Sequence, residues 1–249
     1  MQPRPIERHV EGIFGATGQG KTQAMKARLR GLRRTVQGPL RILVLDPMEQ
    51  LEGGDGYTAD VEFVAYSRKE LLWYLQGVRP NESFSVAYVP PVGADEPAEL
   101  NFLAGVAWAL GNVWLVVDEA HASCNHRAFD GGAIPNMVAC VKRGRHRRIS
   151  LIIVAQRPVD VATLVRAETL AGETFYFRLV RHDDLRDVAS ERGPRFAAAV
   201  AALPRLTCIR STVDGAHYAE IRFDSAGVPY FHAEMRPVNL ERARLPAAT

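Results

Sequence analysis

Gly15-Ala16-Thr17-Gly18-Gln19-Gly20-Lys21-Thr22 is the stretch that decides the fold. It stands directly behind an apolar segment that includes Ile13 and Phe14, and its spacing, Gly-x4-Gly-Lys-Thr, is that of a phosphate-binding loop. Glycines so placed let consecutive backbone N–H groups curl round a phosphate, while the helix that follows turns the positive end of its dipole toward the same charge. All eight residues are therefore candidates for nucleotide binding. Lys21 would reach the β- and γ-phosphates, and the Thr22 hydroxyl would ligate Mg²⁺. The chain has only four lysines, Lys21, Lys26, Lys69 and Lys142, and uses arginine for the rest of its positive charge. One of those four stands where a phosphate needs it.

At 249 residues the chain fits one large domain, or one domain with a small appendage, and can bury most of its apolar surface without disulfides or metals. Three cysteines, Cys124, Cys140 and Cys208, are an odd number at irregular spacing, which argues against a disulfide framework and for a reducing, intracellular compartment. Met1 to Arg8 lacks an apolar core, and no run elsewhere approaches the ~18 apolar residues that span a bilayer. A net charge of +3 suits a nucleic-acid partner but is too mild to demand one.

Around the loop, strand and helix patterns alternate. Gln23 to Arg34 is helical, with Met25, Leu29 and Leu32 at helix spacing. Arg41 to Asp46 is a strand buried on both faces, and a polar, glycine-rich loop runs from Glu49 to Tyr57. Strands are expected at Val61 to Tyr66, Ser83 to Val89, Val113 to Val117, Ile149 to Ala155 and Thr174 to Val180. Helices are expected at Arg68 to Gln76, Glu99 to Leu110, Ile134 to Val141, Val161 to Glu168 and Asp183 to Glu191, with a loop at Asp130-Gly131-Gly132. From Phe196 an alanine-rich helix reaches Leu203, followed by a hairpin with arms Tyr218 to Phe223 and Val228 to His232 and by a polar tail. Such alternation is the signature of an α/β fold with a mainly parallel sheet flanked by helices. Residues 1–195 make the core and 196–249 a C-terminal helix and β extension of the same domain.

Hydrolysis requires a second acidic site, and Asp118-Glu119 closes the apolar strand Val113 to Val117. An aspartate there would hold the metal and its water shell, and the following glutamate would polarise the water that attacks the terminal phosphate. A solvated acidic turn ordinarily accounts for such a dipeptide, but a phosphate loop in the same chain outweighs that explanation. Gln156 closes a third apolar strand, where open α/β sheets place their ligands, and its amide could touch both the γ-phosphate and the attacking water. Lys142-Arg143-Gly144-Arg145-His146-Arg147-Arg148 carries six basic residues in seven. A solvated face, an arginine finger for a neighbouring subunit's nucleotide and a contact to nucleic-acid backbone all fit that run. His121, Cys124, His126, Cys140 and His146 match no tight metal spacing, so no zinc site is expected.

Taken together, the phosphate loop, Leu45-Asp46-Pro47, Val116 to His121, and Arg145-His146 leading into Ile152 to Pro158 resemble the FtsK/HerA superfamily of DNA-pumping ATPases. The compact length points within it to the genome-packaging ATPases of tailless, internal-membrane viruses. The resemblance runs from about Val10 to Glu191 and leaves the C-terminal extension unexplained. It implies a RecA-like core, ATP with Mg²⁺, and a ring oligomer, usually hexameric, that drives double-stranded DNA through its pore. It also implies a viral portal or capsid vertex as partner, and a place in the host cytoplasm or the virion. By motif, Lys21 and Thr22 bind phosphate and Mg²⁺, Asp118 supports the metal, Glu119 is the catalytic acid and Gln156 the sensor. The trans arginine does not align to a single residue; Arg145 and Arg148 are the candidates.

Three other readings compete. Zonula-occludens-toxin-like assembly ATPases of filamentous phages look similar through the same motifs, but normally carry a membrane helix after the ATPase domain, and none is visible here. DEAH-type helicases share the Asp118 to His121 spelling but need a second RecA-like domain, for which the chain is too short. A non-hydrolysing nucleotide switch would have no use for Glu119. All of the hydrolytic readings require three strand ends to converge on one terminal phosphoryl group.

Overall fold

The computed structural model describes residues 8–48, 60–232 and 236–238. The expected loop from Glu49 to Tyr57 lies outside the described residues. β1 (Val10–Phe14) leads into the phosphate loop and α1 (Lys21–Thr35) leads out of it. β2 (Arg41–Leu45), β3 (Phe63–Ala65), α2 (Arg68–Gly77), β4 (Phe84–Tyr88), α3 (Glu96–Leu110) and β5 (Val113–Val117) follow. Next come α4 (Ala120–Ser123), α5 (His126–Asp130), α6 (Pro135–Arg143), a 3₁₀ turn (Gly144–Arg147) and β6 (Ile149–Ala155). A second 3₁₀ turn (Pro158–Asp160), α7 (Thr163–Ala171), β7 (Glu173–Phe177), α8 (His182–Arg192) and α9 (Pro194–Ala201) lead to β8 (Thr207–Thr212), β9 (Gly215–Phe223), β10 (Pro229–Phe231) and β11 (Arg236–Pro237).

All of these strands join one sheet in the order β10-β9-β8-β7-β1-β6-β5-β2-β4-β3, with β11 on β9. From β7 to β3 every pairing is parallel, and beyond β7 every pairing is antiparallel. Every residue of β2, β5 and β6 is buried, as a sheet covered on both faces demands. Successive residues then serve opposite faces. Leu43, Leu115, Leu151 and Ile153 pack with Leu100 and Leu103 of α3, Met137 of α6, Val165 of α7 and Val200 of α9. Ile42, Val116, Ile152 and Val154 pack with Met25, Leu29 and Leu32 of α1. One face thus lies under several helices, and the other under α1 together with Ile221 of β9 and Phe231 of β10.

Several boundaries differ from the sequence expectation for local reasons. α3 begins at Glu96 rather than Glu99, because the Asp95 side chain accepts a hydrogen bond from Ala98 N at 3.3 Å and Pro97 occupies the first turn. β7 stops at Phe177 rather than Val180, because the Arg178 carbonyl is taken by Ala16 N of the phosphate loop at 3.0 Å. The short helices α4 and α5 and the strand β8 go beyond the sequence expectation. The expected C-terminal hairpin exists as β9 and β10, but β8 ties it to β7, so these strands continue the main sheet. The three cysteines are reduced and buried, Cys124 just after α4, Cys140 in α6 and Cys208 in β8. Among the described residues no helix is long and apolar enough to cross a membrane, and no cluster of three metal-ligating side chains occurs.

Candidate active site

The sheet order builds the site. β1, β6, β5 and β2 are consecutive neighbours running in one direction, so the residues that follow them emerge side by side on the carboxyl rim. Leu45 of β2 pairs with Val117 of β5, which sets Asp46 level with Asp118 on the adjacent strand. Phe14 of β1 pairs with Ala155 of β6, which sets Gly15 level with Gln156.

The phosphate loop hangs from its neighbours' last carbonyls. Gly15 N donates to Ala155 O at 3.4 Å and Ala16 N to Arg178 O at 3.0 Å. A Cβ at position 15 would stand 2.4 Å from Cβ of Phe177, so only glycine passes there. Gly18 and Gly20 have φ of 75° and 111°, left-handed values that bend the loop back on itself before α1 starts. Lys21 is buried and donates from Nζ to Ala16 O at 3.4 Å. Desolvation holds its ammonium below the usual lysine range, an effect that Glu119 and Asp118 oppose. Thr22 is the second residue of α1.

Gln156 joins the loop to the acidic pair. Its Oε1 accepts a hydrogen bond from Thr17 Oγ1 at 2.9 Å, and its Nε2 lies 3.4 Å from Glu119 Oε2. Glu119 Oε2 is in turn 3.1 Å from His121 Nδ1. This contact is the main reason that the Glu119 carboxyl sits below its ordinary range and the His121 imidazole above its own. Glu119 also has a left-handed backbone, φ 47° and ψ 42°, unusual for a residue with a side chain and of a kind that collects at functional sites. Thr17, Gln156, Glu119 and His121 form one continuous polar chain beside Lys21.

Asp118 stands behind it, 2% exposed. One oxygen accepts from Glu119 N at 2.9 Å, while Oδ2 is buried without a hydrogen-bond partner among the described residues. Burial, then the fully buried Asp46 alongside, push its carboxyl up to about 7. A lone buried carboxylate oxygen next to a second carboxylate is what a divalent cation would satisfy. The residues therefore fit Mg²⁺, with the Thr22 hydroxyl as the other candidate ligand.

The basic run lies elsewhere. It precedes Ile149, the first residue of β6, whereas Gln156 follows the last, and the seven residues of β6 separate Arg148 from Gln156 by about 25 Å. Lys142, Arg143, Arg145 and Arg148 are exposed on that amino rim, and neither Arg145 nor Arg148 joins the phosphate loop of its own chain. Arg147 is occupied in holding α3: its guanidinium donates to Trp108 O at 2.8 Å and Ala109 O at 3.1 Å and lies 5.8 Å from the centre of the Trp108 ring. Two participants carry no catalytic assignment from the sequence. Asp46 carries a usable signal, an acid closing an apolar strand, whereas His121 becomes relevant only through its distance to Glu119.

Against known structures, the chain superimposes over 93% of its length on 98% of the genome-packaging NTPase B204 of Sulfolobus turreted icosahedral virus 2 in complex with AMP, with a TM-score of 0.62 and 15% identity. The fold is that of a P-loop ATPase. A similar match covers 94% of this chain and all of B204, the DNA-packaging ATPase of Sulfolobus turreted icosahedral virus, at a TM-score of 0.60 and 17% identity. VirB4 of Thermoanaerobacter pseudethanolicus aligns over 87% of this chain and 90% of its own, with a TM-score of 0.62 and 12% identity. No protein-family model and no curated protein matches the sequence.

Proposed function

We propose that the protein is an ATPase that couples ATP hydrolysis to the translocation of double-stranded DNA, in the role of a viral genome-packaging motor. The observation that carries this reading is the link Thr17–Gln156–Glu119, which ties the phosphate loop to the acidic pair across three neighbouring strands. The complex of one B204 with AMPPCP supports the nucleotide, and the other B204, a DNA-packaging ATPase, supports the cargo. The host cytoplasm or the virion is the corresponding location, with a portal or capsid vertex as partner.

The phosphate loop from Gly15 to Thr22 holds the triphosphate through its inward-turned amides, and Lys21 neutralises charge on the β- and γ-phosphates. Thr22 and Asp118 would hold Mg²⁺, which when bound would supply electrostatic stabilisation of the phosphates. Glu119 acts as general base toward the attacking water, and Gln156, already hydrogen-bonded on both sides, orients that water against the γ-phosphate. The link needs only small adjustments for this, because its 3.4 Å Gln156–Glu119 contact is long enough to admit a competing partner. Arg145 and Arg148, remote from their own phosphate loop, would serve a neighbouring subunit's nucleotide in a ring, as a hexamer would allow, and the same exposed run would offer Lys142 and Arg143 to the DNA backbone.

Phosphate release measured with and without double-stranded DNA, on a sample whose mass is determined in the same buffer, tests enzyme, cargo and ring together. DNA-stimulated turnover in a sample of several subunits supports the motor. A chain that binds ATP with no turnover under any of these conditions is a nucleotide switch, and the motor reading fails.

A further inference from the structure

We infer that the turn between α9 and β8 is a second wall of the nucleotide site and that Arg205 is a positioning residue for the phosphate-binding amides. The inference rests on the reading of Gly15 to Thr22 as a nucleotide site and extends that site to the C-terminal strands.

Two consecutive loop carbonyls are held from outside by this turn. Arg205 Nε donates to Gly18 O at 3.1 Å, across 187 residues of sequence, and Leu206 N donates to Gln19 O at 3.1 Å. In a trans peptide the C=O and the following N–H point in opposite directions. Drawing the Gly18 and Gln19 carbonyls outward therefore turns the N–H groups of Gln19 and Gly20 toward the inside of the loop. Among the described residues Gln19 N meets only Ala16 O there, at 3.4 Å, a long bond that a phosphate oxygen would displace at little cost.

The turn is itself built for the contact. Leu206 has φ 63°, a conformation a leucine rarely adopts, and its side chain lies so close to Gly20 that a Cβ there would approach Leu206 Cδ2 to 2.8 Å. The strain is borne where Leu206 also receives Ile221 N on its carbonyl at 2.8 Å, so the turn is clamped between the phosphate loop and β9. The same β8 strand that the turn opens is hydrogen-bonded to β7, whose Phe177 blocks any side chain at Gly15. The extension thus holds the loop directly at Gly18 to Gly20, and at Gly15 only through the β7 strand it pairs with.

The test is the affinity of wild type, Arg205→Ala, Arg205→Lys and Arg205→Gln for AMPPCP and for AMP, with the melting temperature of each nucleotide-free protein. Arg205→Ala should weaken AMPPCP about tenfold and AMP by less than about threefold, since misdirected amides matter most where phosphates are most numerous. Arg205→Lys, which keeps a charged donor, should recover part of the loss. In turnover, KM should rise while kcat changes by less than about twofold, as expected when binding is lost uniformly. Unchanged AMPPCP affinity in Arg205→Ala overturns the inference and leaves the nucleotide site standing. Equal losses for AMP and AMPPCP, in step with a fallen melting temperature, also overturn it, because the arginine would then serve only the fold. Should Arg205→Ala not fold, the same criteria apply to Arg205→Gln. A wild-type chain that binds neither nucleotide removes the site itself, and the inference with it.

Discussion

The site on the carboxyl rim and the basic run on the amino rim treat their charge in opposite ways. On the carboxyl rim Lys21, Asp46 and Asp118 are buried, Glu119 has a left-handed backbone, and the polar groups interlock from Thr17 to His121. On the amino rim Lys142, Arg143, Arg145 and Arg148 stand in solvent, while Arg147 is committed to the fold. Buried charge is costly to keep unless it is paired, so a buried carboxylate oxygen left without a partner beside a phosphate loop suits chemistry in a low dielectric, whereas exposed charge suits a partner that arrives from outside.

The sharpest break between the rims comes from the carboxyl side. Lys21→Ala should abolish nucleotide binding in equilibrium titrations. Glu119→Gln should keep binding while lowering phosphate release by roughly 10²–10⁴-fold, the range for a lost general base, with DNA and without it. If Glu119→Gln turns over normally, the acid of this site is another residue.

Asp118→Asn should separate stability from activity. Relieving a buried carboxylate that faces Asp46 is expected to raise the melting temperature of the nucleotide-free protein, by about 2–4 °C for each kcal/mol of repulsion removed. Magnesium-dependent turnover should meanwhile be lost, and excess EDTA should reduce the wild type to the same level. A lower melting temperature in the variant would show that the orphaned oxygen is paired in solution.

The amino rim should give smaller and more selective effects. Lys142→Gln with Arg143→Gln is expected to reduce DNA stimulation severalfold and to flatten the slope of log affinity for DNA against log salt by about 0.9 for each backbone phosphate left without its cation. Arg145→Ala or Arg148→Ala should lower turnover by about tenfold or more only in the oligomer, and mixing with Lys21→Ala subunits should restore part of it, the mark of a residue acting across an interface. The smallest effect is expected from Arg147→Ala, about 1–3 kcal/mol of stability from uncovering the carbonyl end of α3, seen as a lower melting temperature with activity retained at 25 °C.

The carboxyl rim is readable where a single strand carries the signal. Arg41 to Leu45, Val113 to Val117 and Ile149 to Ala155 are largely apolar, and each is followed by a polar residue, so strand and candidate site residue come from the same few letters. What a linear reading lacks is the order β1-β6-β5-β2, and only that order brings Gln156 between Thr17 and Glu119. β8 is hidden in the sequence because Thr-Cys-Ile-Arg-Ser-Thr mixes buried and half-buried positions and owes its place to β7 and β9 on either side. Arg205 offers no signal at all, since its partner lies near the other end of the chain.

The three buried thiols give each part of the molecule its own clock. Burial pushes Cys124 and Cys140 up to about 12 and Cys208 higher still, so at neutral pH almost none of the reactive thiolate forms while the protein stays closed. Alkylation then reports opening events, with Cys208 timing the departure of the C-terminal strands and Cys124 and Cys140 the loosening of the helical face. A nucleotide that slowed only the first of these would reveal the extension as the part of the molecule that feels its arrival.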